Sequence, residues 1–171
     1  KFAYRIARDQ SLTIYAQRGV LDNVRGYKDL LGGLGRLIST FEPQILNWVH
    51  GRYEKTETGP FDSIAATFSL NQQTDGSSRQ NLRASDPITT DWSRVNSYGH
   101  SGEATTHRGH RFAASFGGEL YDERVRSSRS VRSPATGTAA ITRPLFPNDS
   151  SYRTLGAFTE GSWQAADRLR V

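Results

Sequence analysis

The chain has 171 residues, 35% of them apolar, no cysteine, and a formal net charge of +5. That length suffices for one ordinary soluble domain, but the mean hydropathy of −0.63, with abundant Gly, Ser, Thr, Arg and aromatics, fits neither a helical bundle nor a disordered tail. The lack of cysteine excludes disulfide scaffolds, thiolate metal sites and cysteine nucleophiles. No run reaches the roughly eighteen apolar residues of a membrane helix, so a membrane crossing would have to use strands, which alternate in polarity and score as hydrophilic on average. The chain starts at Lys1 without an apolar leader, so a secretory signal is expected to be removed or to lie outside it.

Period-two alternation begins at once. Phe2, Tyr4 and Ile6 oppose Ala3, Arg5 and Ala7, and Leu12, Ile14 and Ala16 oppose Ser11, Thr13, Tyr15 and Gln17. The run LLGGLGRL from Leu30 to Leu37 lacks the Lys-Ser/Thr ending of a phosphate loop and reads as a flexible loop. Ile45 to Glu54 alternates weakly. Ile64, Ala66, Phe68 and Leu70 then oppose Ser63, Ala65, Thr67, Ser69 and Asn71. Val95 to Thr106 is blurred by Gly, His and Asn. The clearest strand is Arg111 to Tyr121, with Phe112, Ala114, Phe116, Gly118 and Leu120 on one face and Ala113, Ser115, Gly117, Glu119 and Tyr121 on the other. Leu155, Ala157, Thr159 and Trp163 share a face in the last segment.

The connections alternate in length. Short ones are expected at Asp9 and Gln10, residues 55–61, 107–110 and 165–167; long ones are expected over 19–44, 74–92 and 122–150. An up-and-down outer-membrane barrel has this asymmetry of short periplasmic turns and long extracellular loops, whereas compact soluble domains seldom carry loops beyond roughly twelve to fifteen residues. Tyr53, Phe61, Phe112 and Trp163 fall near the short-turn side, and Trp48, Trp92, Tyr121 and Tyr152 near the other, as two interfacial girdles would.

Catalytic chemistry finds little support. His50, His100, His107 and His110 are the general-base candidates, and the close pair in HRGH reads as an exposed turn before a metal site. Asp122 and Glu123 are adjacent and point to opposite faces, a poor acid/base pair. The basic run RVRSSRSVR puts Arg124, Arg126, Arg129 and Arg132 into an expected surface loop. It lacks the interleaved aromatics that single-stranded nucleic acid would want. Lipopolysaccharide phosphates or an anionic chelate suit arginine better, and a solvated loop without a specific partner is the plainer alternative. Thr67, Asn71, Glu119 and Gln17 are expected to face a lumen.

The segment YRTLGAFTEGSWQAADRLRV, Tyr152 to Val171, resembles a strand, periplasmic turn and next strand of TonB-dependent outer-membrane receptors, with Leu155, Gly156, Phe158, Trp163, Asp167 and Leu169 matching and Glu160 and Gly161 departing. FGGELYDERVRSSR from Phe116 and RPLFPNDSSY from Arg143 also look like a barrel strand running into a surface loop and returning. The resemblance implies an all-β fold: an antiparallel up-and-down transmembrane β-barrel segment, about seven to eight strands of a barrel of about twenty-two. Residues 1–171 would then be a partial barrel domain, with the plug domain and TonB box elsewhere. It further implies a non-enzymatic importer in the bacterial outer membrane for a ferric siderophore, haem or cobalamin. Its partners would be membrane lipid, lipopolysaccharide and the TonB complex, with no nucleic acid, no bound cofactor and no resident metal. A small barrel serving as anchor or adhesin, and a soluble β-sandwich that binds carbohydrate, remain as alternatives.

Overall fold

A computed structural model describes residues 1–27, 35–109, 111–166 and 169–170. The glycine-rich run at 30–34, His110 and Asp167, each singled out in the sequence, lie outside the described residues. The fold is all-β and antiparallel. The strands are β1 (Phe2–Ala7), β2 (Gln10–Leu21), β3 (Val24–Arg25), β4 (Ile38–Phe41), β5 (Gln44–Thr58), β6 (Phe61–Gln80), β7 (Ile88–Arg108), β8 (Phe112–Arg132), β9 (Ala139–Thr142), β10 (Ser150–Ala166) and β11 (Leu169–Arg170). Hydrogen-bonded neighbours follow the order β1-β2-β5-β6-β7-β8-β10-β11, with β3 on β4, β4 on β6 and β9 on β8. Among the described residues β1 and β11 do not pair, so the sheet is open.

Partners in an antiparallel ladder point to the same side, so the registers sort every long strand onto two faces. One row runs Phe2, Ile14, Gly51, Phe68, His100, Leu120 and Leu155. Its face also carries Leu12, Ala16, Val49, Tyr53, Ile64, Leu70, Tyr98, Phe112, Phe116 and Trp163. The alternations read separately from six segments therefore converge on one continuous apolar face. Gln17, Thr67, Asn71 and Glu119 all lie on the opposite, polar face.

Three expectations need correction. Residues 74–92 and 122–150, expected as long loops, are largely strand: β6 and β7 leave only residues 81–87 between them, and β8 continues to Arg132. Polar residues on both sides of these stretches remove the alternation signal while the backbone ladder continues. The short strands β3, β4 and β9 also fall in segments read as loops. The second aromatic girdle splits between faces: Trp92 lies on the apolar face, while Trp48, Tyr121 and Tyr152 lie on the polar one. On the short-turn side Tyr53, Phe112 and Trp163 do share the apolar face.

The sheet has almost no interior. Ala114 is its one buried apolar residue among those described, and Ser39, Thr74, Gln80 and Ser127 are buried polar ones. Total accessible surface is 12206 Å², against roughly 8,400 Å² expected for a compact monomer of this mass. Cohesion comes instead from the ladders and from cross-strand joints. On the polar face Tyr121 lies across Gly99, its partner on β7, and Phe158 lies across Gly117, its partner on β8. A Cβ at Gly117 would enter the Phe158 ring and approach the Gly102 carbonyl oxygen to 2.9 Å, whereas one at Gly102 meets nothing within 4 Å. The aromatic covers a backbone stretch that lacks a side chain. Gly117→Val is therefore expected to cost about 1–3 kcal/mol by overpacking. Gly102→Ala should stay within about 0.5 kcal/mol. Thermal unfolding of the two variants in detergent checks the contrast.

Candidate functional site

The four arginines singled out in the sequence belong to strand β8, not to a loop, and they do not act together. Arg124, Arg126 and Arg132 fall on the apolar face, beyond its greasy part, while Arg129 falls on the polar face. Alternation carried past Leu120 is the signal that would have separated them.

Arg129 forms half of a three-strand clasp. Its Nε and Nη2 donate to the Asp91 carboxylate at 2.6 and 3.1 Å, and Arg79 Nη2 donates to the same group at 2.9 Å. Asp91 stands directly opposite Arg129 on β8, while its partner on β6 is Ser77, two residues from Arg79 on the same face. Burial raises the Asp91 pKa, but hydrogen bonds from Arg129 and then Arg79 outweigh it and hold the carboxyl below the usual range. Neither Asp91 nor Arg79 stands out in local sequence. Nearby, Ser127 Oγ donates to the Phe146 carbonyl at 2.5 Å and Ser127 N–H to Asn148 Oδ1 at 2.9 Å, which ties the 143–149 segment onto β8.

A carboxylate whose folded pKa is depressed adds stability that is fully present above its unfolded value, about 3.9. That stability is lost as pH falls through the folded value. Asp91→Asn should lower stability by about 1–2 kcal/mol at neutral pH, between an exposed and a fully buried pair because the Arg79 side chain remains 37% exposed. Below about pH 4 the gap between the variant and the parent should close. Melting curves across pH 2.5–7 measure this, and parallel curves would refute the clasp's contribution.

On the apolar face a polar rail bounds the greasy band. It runs Arg18, Asn47, Gln72, Asn96, Arg124 and Ser151, one residue from each of six adjacent strands. Asn47 Nδ2 donates to Gln72 Oε1 at 3.2 Å and Gln72 Nε2 to Asn96 Oδ1 at 2.9 Å. Beyond the rail Arg94 stands directly opposite Arg126. Between rail and turns lies a shallow open depression of about 790 Å³, floored by Gly51, Gly102 and Gly118 and walled by Ile14, Phe68 and Leu155.

The histidines are dispersed. His50 stacks on Trp48 on the polar face, with ring centroids 5.9 Å apart. His100 lies against Phe68 on the apolar face at 5.2 Å. His107, at the short-turn end, meets the Asp62 carboxylate through Nδ1 at 2.8 Å and through its backbone N–H. Those hydrogen bonds, led by the side-chain one, lower the Asp62 pKa. No group of three or more metal-ligating side chains occurs among the described residues. The polar face carries hydrogen-bonded and ionic pairs such as Arg52 with Glu103 at 3.4 Å and Ser63 with Thr105 at 2.7 Å.

Comparison with protein families, with curated proteins and with solved structures finds no match to this chain. The surface itself must carry the functional reading.

Proposed function

We propose that the chain is part of the wall of an outer-membrane β-barrel, with the apolar face against lipid and the polar face toward the lumen. The observation that carries this reading is the continuous apolar face of an uncovered antiparallel sheet, ended on one side by a polar rail. From Phe112 to Leu120 the band on β8 spans eight residue steps, about 26 Å at the rise of a strand. At barrel tilt that becomes about 20 Å of height, close to the roughly 25 Å apolar band of such barrels. The open edges suit a segment that continues into further strands, since an unpaired edge cannot stay in hydrocarbon.

The family proposed is the TonB-dependent receptors, and the transported class a scarce nutrient held as a ferric siderophore, haem or cobalamin. Support for active import is the resemblance of Tyr152 to Val171 and the Phe116 and Arg143 segments to strands and turns of those receptors. The Asp91 clasp and the long strand extensions beyond the rail fit a wall that rises above the membrane on its loop side.

Charge placement tests the wall directly. Phe68→Arg or Leu155→Arg puts a cation near the middle of the band, which should cost about 2–4 kcal/mol in a bilayer and deplete the protein from the outer-membrane fraction. Thr67→Arg, on the next residue but the other face, should insert normally. Equal fractionation of all three would reject the assignment of faces. Growth of a deletion strain on a panel of iron sources and cobalamin tests import separately.

A further inference from the structure

We propose that the polar face binds a pyranose unit of a neutral saccharide in a trough between two aromatic ridges, an inference that rests on the wall reading above only in turning this face toward the lumen. The registers lay the trough out in two parallel rows. One runs Tyr15, His50, Ser69, Gly99 and Tyr121, and the next runs Gln17, Trp48, Asn71, Ser97 and Glu123. Aromatic rings therefore stand on β2 and β5 at one side and on β8 at the other, and the rows carry only short side chains on β6 and β7 between them. Three strand spacings separate β5 from β8, about 14 Å. The concavity holds about 310 Å³.

The first ridge is assembled before any ligand arrives. The Tyr15 and Trp48 rings lie 5.1 Å apart at 55°, and His50 stacks on Trp48 with planes 20° apart. Tyr15 Oη donates to Gln17 Oε1 at 3.3 Å, which fixes the outer end of the ridge. Across the trough Tyr121 lies over Gly99, where a Cβ would come within 2.7 Å of its ring. The floor is polar and unspent. Among the described residues the side chains of Thr67, Ser69, Asn71, Ser97 and Ser101 form no hydrogen bond with the protein. The amides of Asn47, Gln72 and Asn96 on the other face, by contrast, are bonded to one another.

Charge decides the class of ligand. No Lys, Arg, Asp or Glu lines the trough. On the same face Glu119 and Glu123 flank Tyr121 along β8, and Arg52, beyond His50 on β5, is met by Glu54 and Glu103. Carboxylates at the rim repel an anionic chelate, while they accept hydrogen bonds from hydroxyl groups. A pyranose ring has an apolar C–H face that stacks on an aromatic ring, and hydroxyls around its edge. Aromatic walls with a few convergent hydroxyl and amide groups match that division.

The test titrates the full-length protein, in a detergent whose headgroup is not a sugar, with maltopentaose and with cellopentaose, and reads affinity by calorimetry. At least one of these neutral glucose chains is expected to bind. Trp48→Ala should then weaken binding about tenfold or more, as loss of an aromatic anchor does. Asn71→Ala should weaken it about threefold to tenfold through lost hydrogen bonds. Asn71 is exposed, so its variant keeps the fold and tests the trough even where Trp48→Ala does not assemble. Trp92→Ala, on the opposite face, should leave affinity unchanged. Absence of binding by both sugars, affinity that persists unchanged in the Trp48 and Asn71 variants, or displacement of the sugar by haem, an anion at neutral pH, would overturn the proposal. Failure of the wall reading shows elsewhere, as normal membrane fractionation of Leu155→Arg, so the two outcomes are distinguishable.

Discussion

An apolar sheet face with nothing packed on it is the constraint from which the other features follow. In a soluble domain of this length a second layer would cover Phe68, Leu120 and Leu155 and supply most of the stability. Here no second layer exists among the described residues, and Leu155 is 81% exposed. Between paired strands the backbone groups are satisfied along the ladders, while the outer edges of β1 and β11 are open and would need further strands to meet the requirement that hydrocarbon imposes on any spanning structure. Under the wall reading proposed above, lipid covers its apolar side chains without any shape complementarity.

Without a core, cohesion shifts to pairwise contacts between neighbouring strands. The joints Tyr121 over Gly99 and Phe158 over Gly117 lie on the polar face, where each ring covers a glycine of the neighbouring strand. The amides of Asn47, Gln72 and Asn96 link three strands in a line at the edge of the band. Farther out, beyond the rail, Asp91 links β6, β7 and β8 through two arginines. Each device crosses strands, and each sits at a level where the one below it no longer applies.

Legibility in the sequence follows the same levels. Within the band, hydrophobic and polar residues alternate because two different environments flank the sheet, so Phe112 to Leu120 and Ile64 to Leu70 declare both strand and face. Beyond Leu120 both faces are polar. Alternation carries no information there, and Arg124 to Arg132 reads as a loop although its backbone is strand. The aromatic girdle failed for a related reason: distance from a turn fixes height but not side, and Trp48 and Tyr121 sit one residue off the apolar face. The Asp91 clasp and the Arg94 and Arg126 pair were illegible because their partners are brought together by register, which no local window contains.

Register also changes what the net charge of +5 means. Spread along the chain, it suggests only a general affinity for anions. Folded, Arg129 and Arg79 are neutralised in part by Asp91, and Arg52 by Glu54 and Glu103, while Arg94 stands opposite Arg126 past the rail and Arg108 lies at the short-turn end of the same face. Positive charge therefore stands at both ends of the apolar band rather than in its middle. Under the membrane reading both ends then reach interfacial depth, and the short-turn end also carries the Asp62 and His107 contact. Under that reading the central apolar rows stay free of charge because hydrocarbon penalises it, and the net charge is carried at the heights that water can reach.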